Sequence, residues 1–182
     1  MKKILLVAAL ALLGVNFANA QEKVKWYTIT EAFELNKAEP RMMVVDVFTD
    51  WCGWCKRMDA NTFSDPVVAE YMNKHFYPVK LDGEEKKDIT IGEHTYKFVD
   101  NGRRGYHELS AAILQGRMSY PSIAYLDSKL QVVQVVPGYK NAAQFEAYLA
   151  FFNEKAYESQ TFMQFYEGFE GKVAPENLKI LA

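Results

Sequence analysis

Val45-Asp46-Val47-Phe48-Thr49-Asp50-Trp51-Cys52-Gly53-Trp54-Cys55-Lys56 carries the only two cysteines of the chain. The run leading into it, residues 42–48, is almost uninterrupted apolar and rich in β-branched Val44, Val45 and Val47, the pattern of a central strand covered on both faces. The residues after Cys52 are compatible with a helix. That places the first sulfur beside unpaired backbone N–H groups and the positive end of a helix dipole, where thiolate is favoured over thiol. Two intervening residues let Cys55 turn back on a mixed disulfide once Cys52 has attacked a partner. Cys52 is therefore the expected nucleophile and the expected exposed sulfur, and Cys55 the expected resolving one. Asp46 breaks the apolar run. Desolvation there raises a carboxyl pKa, which suits a group that takes the proton from Cys55.

An inert pair and a metal site are the rival readings. A zinc site needs about four ligands, and the gaps between His75, His94 and His107 are far from the usual H-x3-5-H. Haem attachment needs histidine at position 56, which is Lys56. The three histidines fall in no motif and are expected to be surface or satisfied residues. No metal and no cofactor is expected.

Outward from the cysteines, the N-terminus reads as an export signal. Lys2 and Lys3 precede an apolar stretch over 4–15, and Ala18-Asn19-Ala20 supplies an A-x-A cleavage site. Twelve apolar residues fall short of the roughly 20 that a spanning helix needs, so the expectation is a signal peptide over 1–20 and a soluble periplasmic or secreted product from Gln21. One close cysteine pair cannot cross-link distant segments, whereas exported proteins that use cysteine structurally carry several spaced pairs. Residues 21–182 make one domain of ordinary size. The 21 basic residues less Lys2 and Lys3 leave 19 against 23 acidic, a balance of −4 with no basic block, which argues against a nucleic-acid partner.

Thr28-Ile29-Thr30-Glu31 is a capping box that opens a helix closed by Pro40. Asp65-Pro66 starts a second helix with Val67, Val68, Tyr71 and Met72 at helical spacing up to His75, and 76–81 returns to strand. The least regular stretch, 82–118, holds a solvated charged turn at 84–87, a hairpin over 89–99, a turn at Asn101-Gly102 and a helix over 106–114. Residues 122–126 and 130–136 read as a hairpin around Asp127-Ser128-Lys129, and Asn141 caps a long helix followed by an aromatic-rich tail over 162–169. This order predicts an α/β domain with a mixed sheet and helices on both faces.

The Trp before the first cysteine, the Lys after the second, the Asp six residues ahead of Cys52, Val79-Lys80-Leu81-Asp82 and Tyr120-Pro121 opening a strand together resemble the thioredoxin superfamily. The similarity is greatest to exported bacterial thioredoxin-like proteins with a Trp-Cys-x-Trp-Cys-Lys centre. It covers about 28–155, with a long insertion over about 83–118 and an extension over about 156–182. It implies a thioredoxin-like fold, a cis bond before Pro121 lying against the cysteines, and Lys80 tuning Asp46. Tyr120 and Pro121 would then bind an extended substrate segment by strand addition. Trp51 and Trp54 flank the cysteines and are expected to form an apolar substrate-binding rim that grips a partner or shields the thiolate; packing against the sheet is the rival reading, with Trp51 its better candidate. Trp54 stands where minimal thioredoxins have proline and disulfide isomerases histidine. That dipeptide helps set a potential between about −270 and −120 mV.

The activity implied is dithiol-disulfide exchange that reduces protein disulfides, re-reduced by a membrane-embedded thiol reductase. Disulfide oxidase or isomerase action is the alternative within the class. A Cu(I) carrier has no methionine or histidine cluster near the cysteines, and nothing ties a histidine to Cys52 as a Cys-His hydrolase requires.

Overall fold

The computed structural model describes residues 22–173, so the stretch expected to be a signal peptide lies outside it. Helix α1 (Ile29–Ala38) leads into strand β1 (Met43–Phe48), then helices α2 (Gly53–Asn61) and α3 (Pro66–His75) and strand β2 (Tyr77–Asp82). Four short strands follow, β3 (Ile89–Ile91), β4 (His94–Tyr96), β5 (Phe98–Val99) and β6 (Tyr106–His107), then helix α4 (Glu108–Ile113). The chain continues with β7 (Ser122–Leu126), β8 (Val132–Pro137), α5 (Ala142–Asn153), a 3-10 turn (Ala156–Glu158) and α6 (Phe162–Glu167).

The four-stranded sheet has the order β2-β1-β7-β8. Strand β1 runs parallel to β2 and antiparallel to β7, so it is central. Its alternate side chains enter two separate cores. Val44 joins Met58, Met72, Ile123, Phe145 and Phe152 beneath α2, α3 and α5. Met43, Val45 and Val47 join Ile29, Ala32, Leu109 and Ile113 beneath α1 and α4. A strand buried on both sides needs apolar residues at every position, and β1 departs from that only at Asp46. The mixed sheet with helices on both faces is the arrangement expected.

The predicted caps form. Thr28 and Glu31 bond reciprocally, Asp65 accepts from the N–H groups of Val67 and Val68 ahead of Pro66, and Asn141 pairs with Gln144. Each satisfies donors that a helix start leaves open.

Three expectations need correction. The helix placed over 106–114 begins only at Glu108, because Tyr106 and His107 pair with Val99 and Phe98 in an antiparallel ribbon. Gly105, at φ +76, makes that ribbon possible, since a Cβ there would run into the Phe98 ring and the Val99 carbonyl. The expected 89–99 hairpin closes earlier, as β3 against β4 only. His107 is also no surface residue. It is fully buried, its Nδ1 accepts from the N–H of Leu109, and its Nε2 has no partner.

Beyond α5 an aromatic cluster holds the last described residues. Phe162 stacks on Tyr148 at 3.6 Å, and Phe165 lies 5.4 Å from Phe151. Buried Glu146 accepts the backbone N–H groups of Lys172 and Val173.

Candidate redox site

At the end of β1 the chain turns through Thr49, Asp50 and Trp51, and the Cys52 N–H donates to the Thr49 carbonyl at 3.0 Å. Cys52, with φ −74 and ψ 103, is the N-cap of α2. A non-helical backbone at this position turns the side chain back over the open N–H groups of the first turn. The Cys55 N–H accordingly donates to Cys52 Sγ at 3.1 Å. The first turn of α2 contains no acidic residue, so nothing within that turn offsets the positive end of the helix dipole at the sulfur. Cys52 and Cys55 are joined as a disulfide, with their Cα atoms 5.3 Å apart.

Neither cysteine is open. Cys52 is 5% exposed and Cys55 2%, which corrects the expectation of an exposed Cys52. The cause is local: its sulfur is turned inward onto the Cys55 N–H and bonded to a buried partner.

The two tryptophans form the exposed surface here. Trp54 is 50% exposed, with the Arg57 guanidinium 5.3 Å from its ring and Tyr139 at 5.5 Å. Trp51 is 51% exposed, so the rival reading in which it packs against the sheet does not hold. Its partners come instead from the 83–118 stretch and from Tyr120. The indole Nε1 donates to Glu84 at 3.1 Å, the Arg104 guanidinium lies 4.0 Å from the ring, and Tyr120 meets it edge to face at 6.0 Å.

Tyr120-Pro121 is a cis peptide, and Pro121 is buried. Ser122 pairs with Val47, which puts Pro121 at the end of β1 that leads to the cysteines. The Pro121 carbonyl accepts the Gly138 N–H at 2.8 Å. Burial pushes the Tyr120 hydroxyl up to about 12, helped by Glu84 and Asp82. The ring lies over Gly83, where any Cβ would collide with it.

Asp46 is 1% exposed and points to the face that carries α2. Lys80, its register partner on β2, reaches its Oδ2 at 2.6 Å. The same ammonium bonds Asp59 of α2. Asp46 Oδ1 and nearby Thr49 Oγ1 are buried with no partner. Burial outweighs the attraction of Lys80 and raises the Asp46 carboxyl to about 6, with Asp59 adding to the rise. Buried neutral acids and buried anions differ most where solvation is lost.

The structure thus brings Cys52, Cys55, Trp51, Trp54, Tyr120 and Pro121 to one end of β1, and sets Asp46 of β1 beside Lys80 of β2 beneath α2. Asp59, Glu84 and Arg104 join these groups without having been singled out. Asp59 was one helical turn after Cys55, a signal that spacing alone supplies. Among the described residues no group of three or more His, Cys, Asp or Glu side chains is arranged to hold a metal ion, and no helix is long and apolar enough to cross a membrane.

An uncharacterized protein of Archaeoglobus fulgidus is 32% identical over 85 residues, which cover 46% of this chain and 67% of that protein. The thiol:disulfide interchange protein DsbD of Pectobacterium atrosepticum is 26% identical over 126 residues, 66% of this chain but only 18% of DsbD. A solution structure of a Bacteroides thetaiotaomicron protein is 26% identical, with a TM-score of 0.52 and coverage of 79% of this chain and all of the other. A thioredoxin from Thermus thermophilus, at 19% identity, gives a TM-score of 0.53 over 82% of this chain and 99% of its own. The fold is therefore thioredoxin-like. The family model for thioredoxin-like DsbH proteins, described as "Protein of unknown function, DUF255", matches residues 16–135. That is well over half of the 182 residues, and the chain belongs to this disulfide-oxidoreductase-like family, its Cys52-x-x-Cys55 pair in place.

Proposed function

We propose that the protein is an exported thiol-disulfide oxidoreductase that reduces protein disulfides in the periplasm, with residues 1–20 as its cleaved signal and 21–182 as one domain. In the reduced protein Cys52 thiolate attacks one sulfur of a substrate disulfide; a bond forms from Cys52 Sγ and the other substrate sulfur leaves as thiolate. Cys55 then gives its proton to Asp46 and attacks Cys52 Sγ. The second substrate sulfur leaves, and two electrons have passed from the Cys52–Cys55 pair to the substrate. Lys80 holds Asp46 in place. A membrane thiol reductase returns the electrons.

The observation that carries this reading is the Cys52 sulfur capping α2 and accepting the Cys55 N–H at 3.1 Å. A donor and a dipole aimed at a sulfur stabilise its anion, and a lowered thiol pKa marks a reactive cysteine. The match to the thiol:disulfide interchange protein DsbD over 126 residues supports the same chemistry. Because Cys52 is nearly closed, substrate engages first on the exposed faces of Trp51 and Trp54, with an extended segment pairing at Tyr120 and Pro121.

Insulin reduction with dithiothreitol as electron source tests the proposal. Wild-type protein accelerates precipitation of the insulin B chain, Cys52→Ser abolishes it, and Cys55→Ser accumulates a mixed disulfide on Cys52. Wild-type protein no faster than dithiothreitol alone refutes it. Equilibration with glutathione sets the direction, since a potential near about −150 mV points to an oxidase or isomerase instead.

A further inference from the structure

Lys80 is shared by two carboxylates of opposite setting. Asp46, with a side chain 2% exposed, takes one hydrogen bond at 2.6 Å, and Asp59, 47% exposed, takes another. The ammonium is held between rings, 4.8 Å from Trp26, 5.0 Å from Phe48 and 5.2 Å from Phe63. Trp26 meets Phe63 edge to face at 4.9 Å, and Phe63 meets Phe145 at 5.4 Å. Rings locked in this way attract the cation and limit where it can move. Lys80 thus divides its charge between the two acids and does not swing fully to one.

We propose that Asp59 is a positioning residue that holds half of Lys80 away from Asp46 and so keeps Asp46 able to take up a proton. The proposal rests on the role given above to Asp46 as acceptor from Cys55. Two effects act in the same direction. Every hydrogen bond that Lys80 gives to Asp59 is withheld from Asp46, whose Oδ1 has no partner, and the Asp59 charge repels a charge on Asp46 through the shared ammonium. The charged groups facing Asp46 are Lys80 from β2 and Asp59 from α2; from β7 it meets Ile123. Cys55, bonded to Cys52, does not titrate in this form. The direction of the Asp46 shift, to which Asp59 contributes upward, agrees.

Asp59 is on the helix surface, so its replacement leaves the core untouched. Carbon-13 carboxyl NMR of the oxidised protein titrates Asp46 directly. In Asp59→Asn and Asp59→Ser the Asp46 midpoint falls, by about half a pH unit for two charges roughly 6 Å apart in water. Asp59→Glu restores it, and the acidic arm of the pH profile for insulin reduction moves with it. A midpoint in Asp59→Asn equal to or above that of wild type overturns the proposal. The titration does not depend on turnover. An inert wild-type protein with a shifted midpoint refutes the oxidoreductase reading and leaves the charge coupling intact, whereas an active one with an unshifted midpoint refutes the coupling alone.

Discussion

Asp46→Asn removes an ionisable group from the interior while keeping its size, and its effect on stability depends on pH. The carboxyl rises from an ordinary 3.8 to about 6 on folding. A raised folded-state pKa means that the native protein binds the proton more tightly than the unfolded chain does. The stability associated with that proton is complete below about pH 4 and is lost as pH climbs through about 6. Above that window the native state keeps a buried anion at a cost on the order of 3 kcal/mol, from roughly 1.4 kcal/mol per pH unit. Asparagine carries no such cost. Urea unfolding of the oxidised protein is therefore expected to show Asp46→Asn more stable by about 3 kcal/mol at pH 7.5 and by only about 0.5 kcal/mol at pH 4. In a heat scan at pH 7.5 the gain is roughly 6–12 °C. Insulin reduction at pH 7.5 falls in the same variant. A gain of equal size at both pH values, or no gain at pH 7.5, refutes the assignment of Asp46 as a carboxyl strained by burial.

Three further substitutions test the fold that holds the site. Asp65→Ala leaves the Val67 and Val68 N–H groups at the start of α3 without their acceptor and lowers stability by about 1 kcal/mol in urea. Phe152→Ala opens a cavity beside Tyr125, on which Phe152 stacks at 3.7 Å, and costs about 3–5 kcal/mol by the same measurement. Gly105→Ala forces a left-handed residue against Phe98 and Val99; the ribbon opens and limited proteolysis cuts near 100–105 faster than in wild type, while cleavage elsewhere is unchanged.

The parts of the fold legible from sequence are those fixed by neighbours along the chain. Thr28 with Glu31, Asp65 with Pro66 and Asn141 with Gln144 are separated by three residues or fewer, so their caps can be read directly. The apolar density of 42–48 likewise announces a strand covered on both faces, and one acid inside it singles itself out. What could not be read depends on contacts between distant segments. Trp51 is held by Glu84 and Arg104, 33 and 53 positions away, so its exposure followed from no local pattern. Tyr106 and His107 directly precede α4, and His107 caps it, but pairing with Val99 and Phe98 captures them as strand. Asp59 bears on the site only because Lys80, 21 residues on, reaches across to it. The near closure of Cys52 is also invisible in sequence, since it depends on which way one sulfur turns at the helix cap.

The most direct measurement is the pH dependence of Cys52 alkylation by iodoacetamide in the reduced native protein, located by mass spectrometry. A sulfur at the cap of α2, receiving the Cys55 N–H, reacts with a midpoint below the ordinary thiol value, and Cys55 stays unmodified. A Cys52 that reacts only after unfolding, or with a midpoint at the ordinary value of about 8.5, contradicts the account.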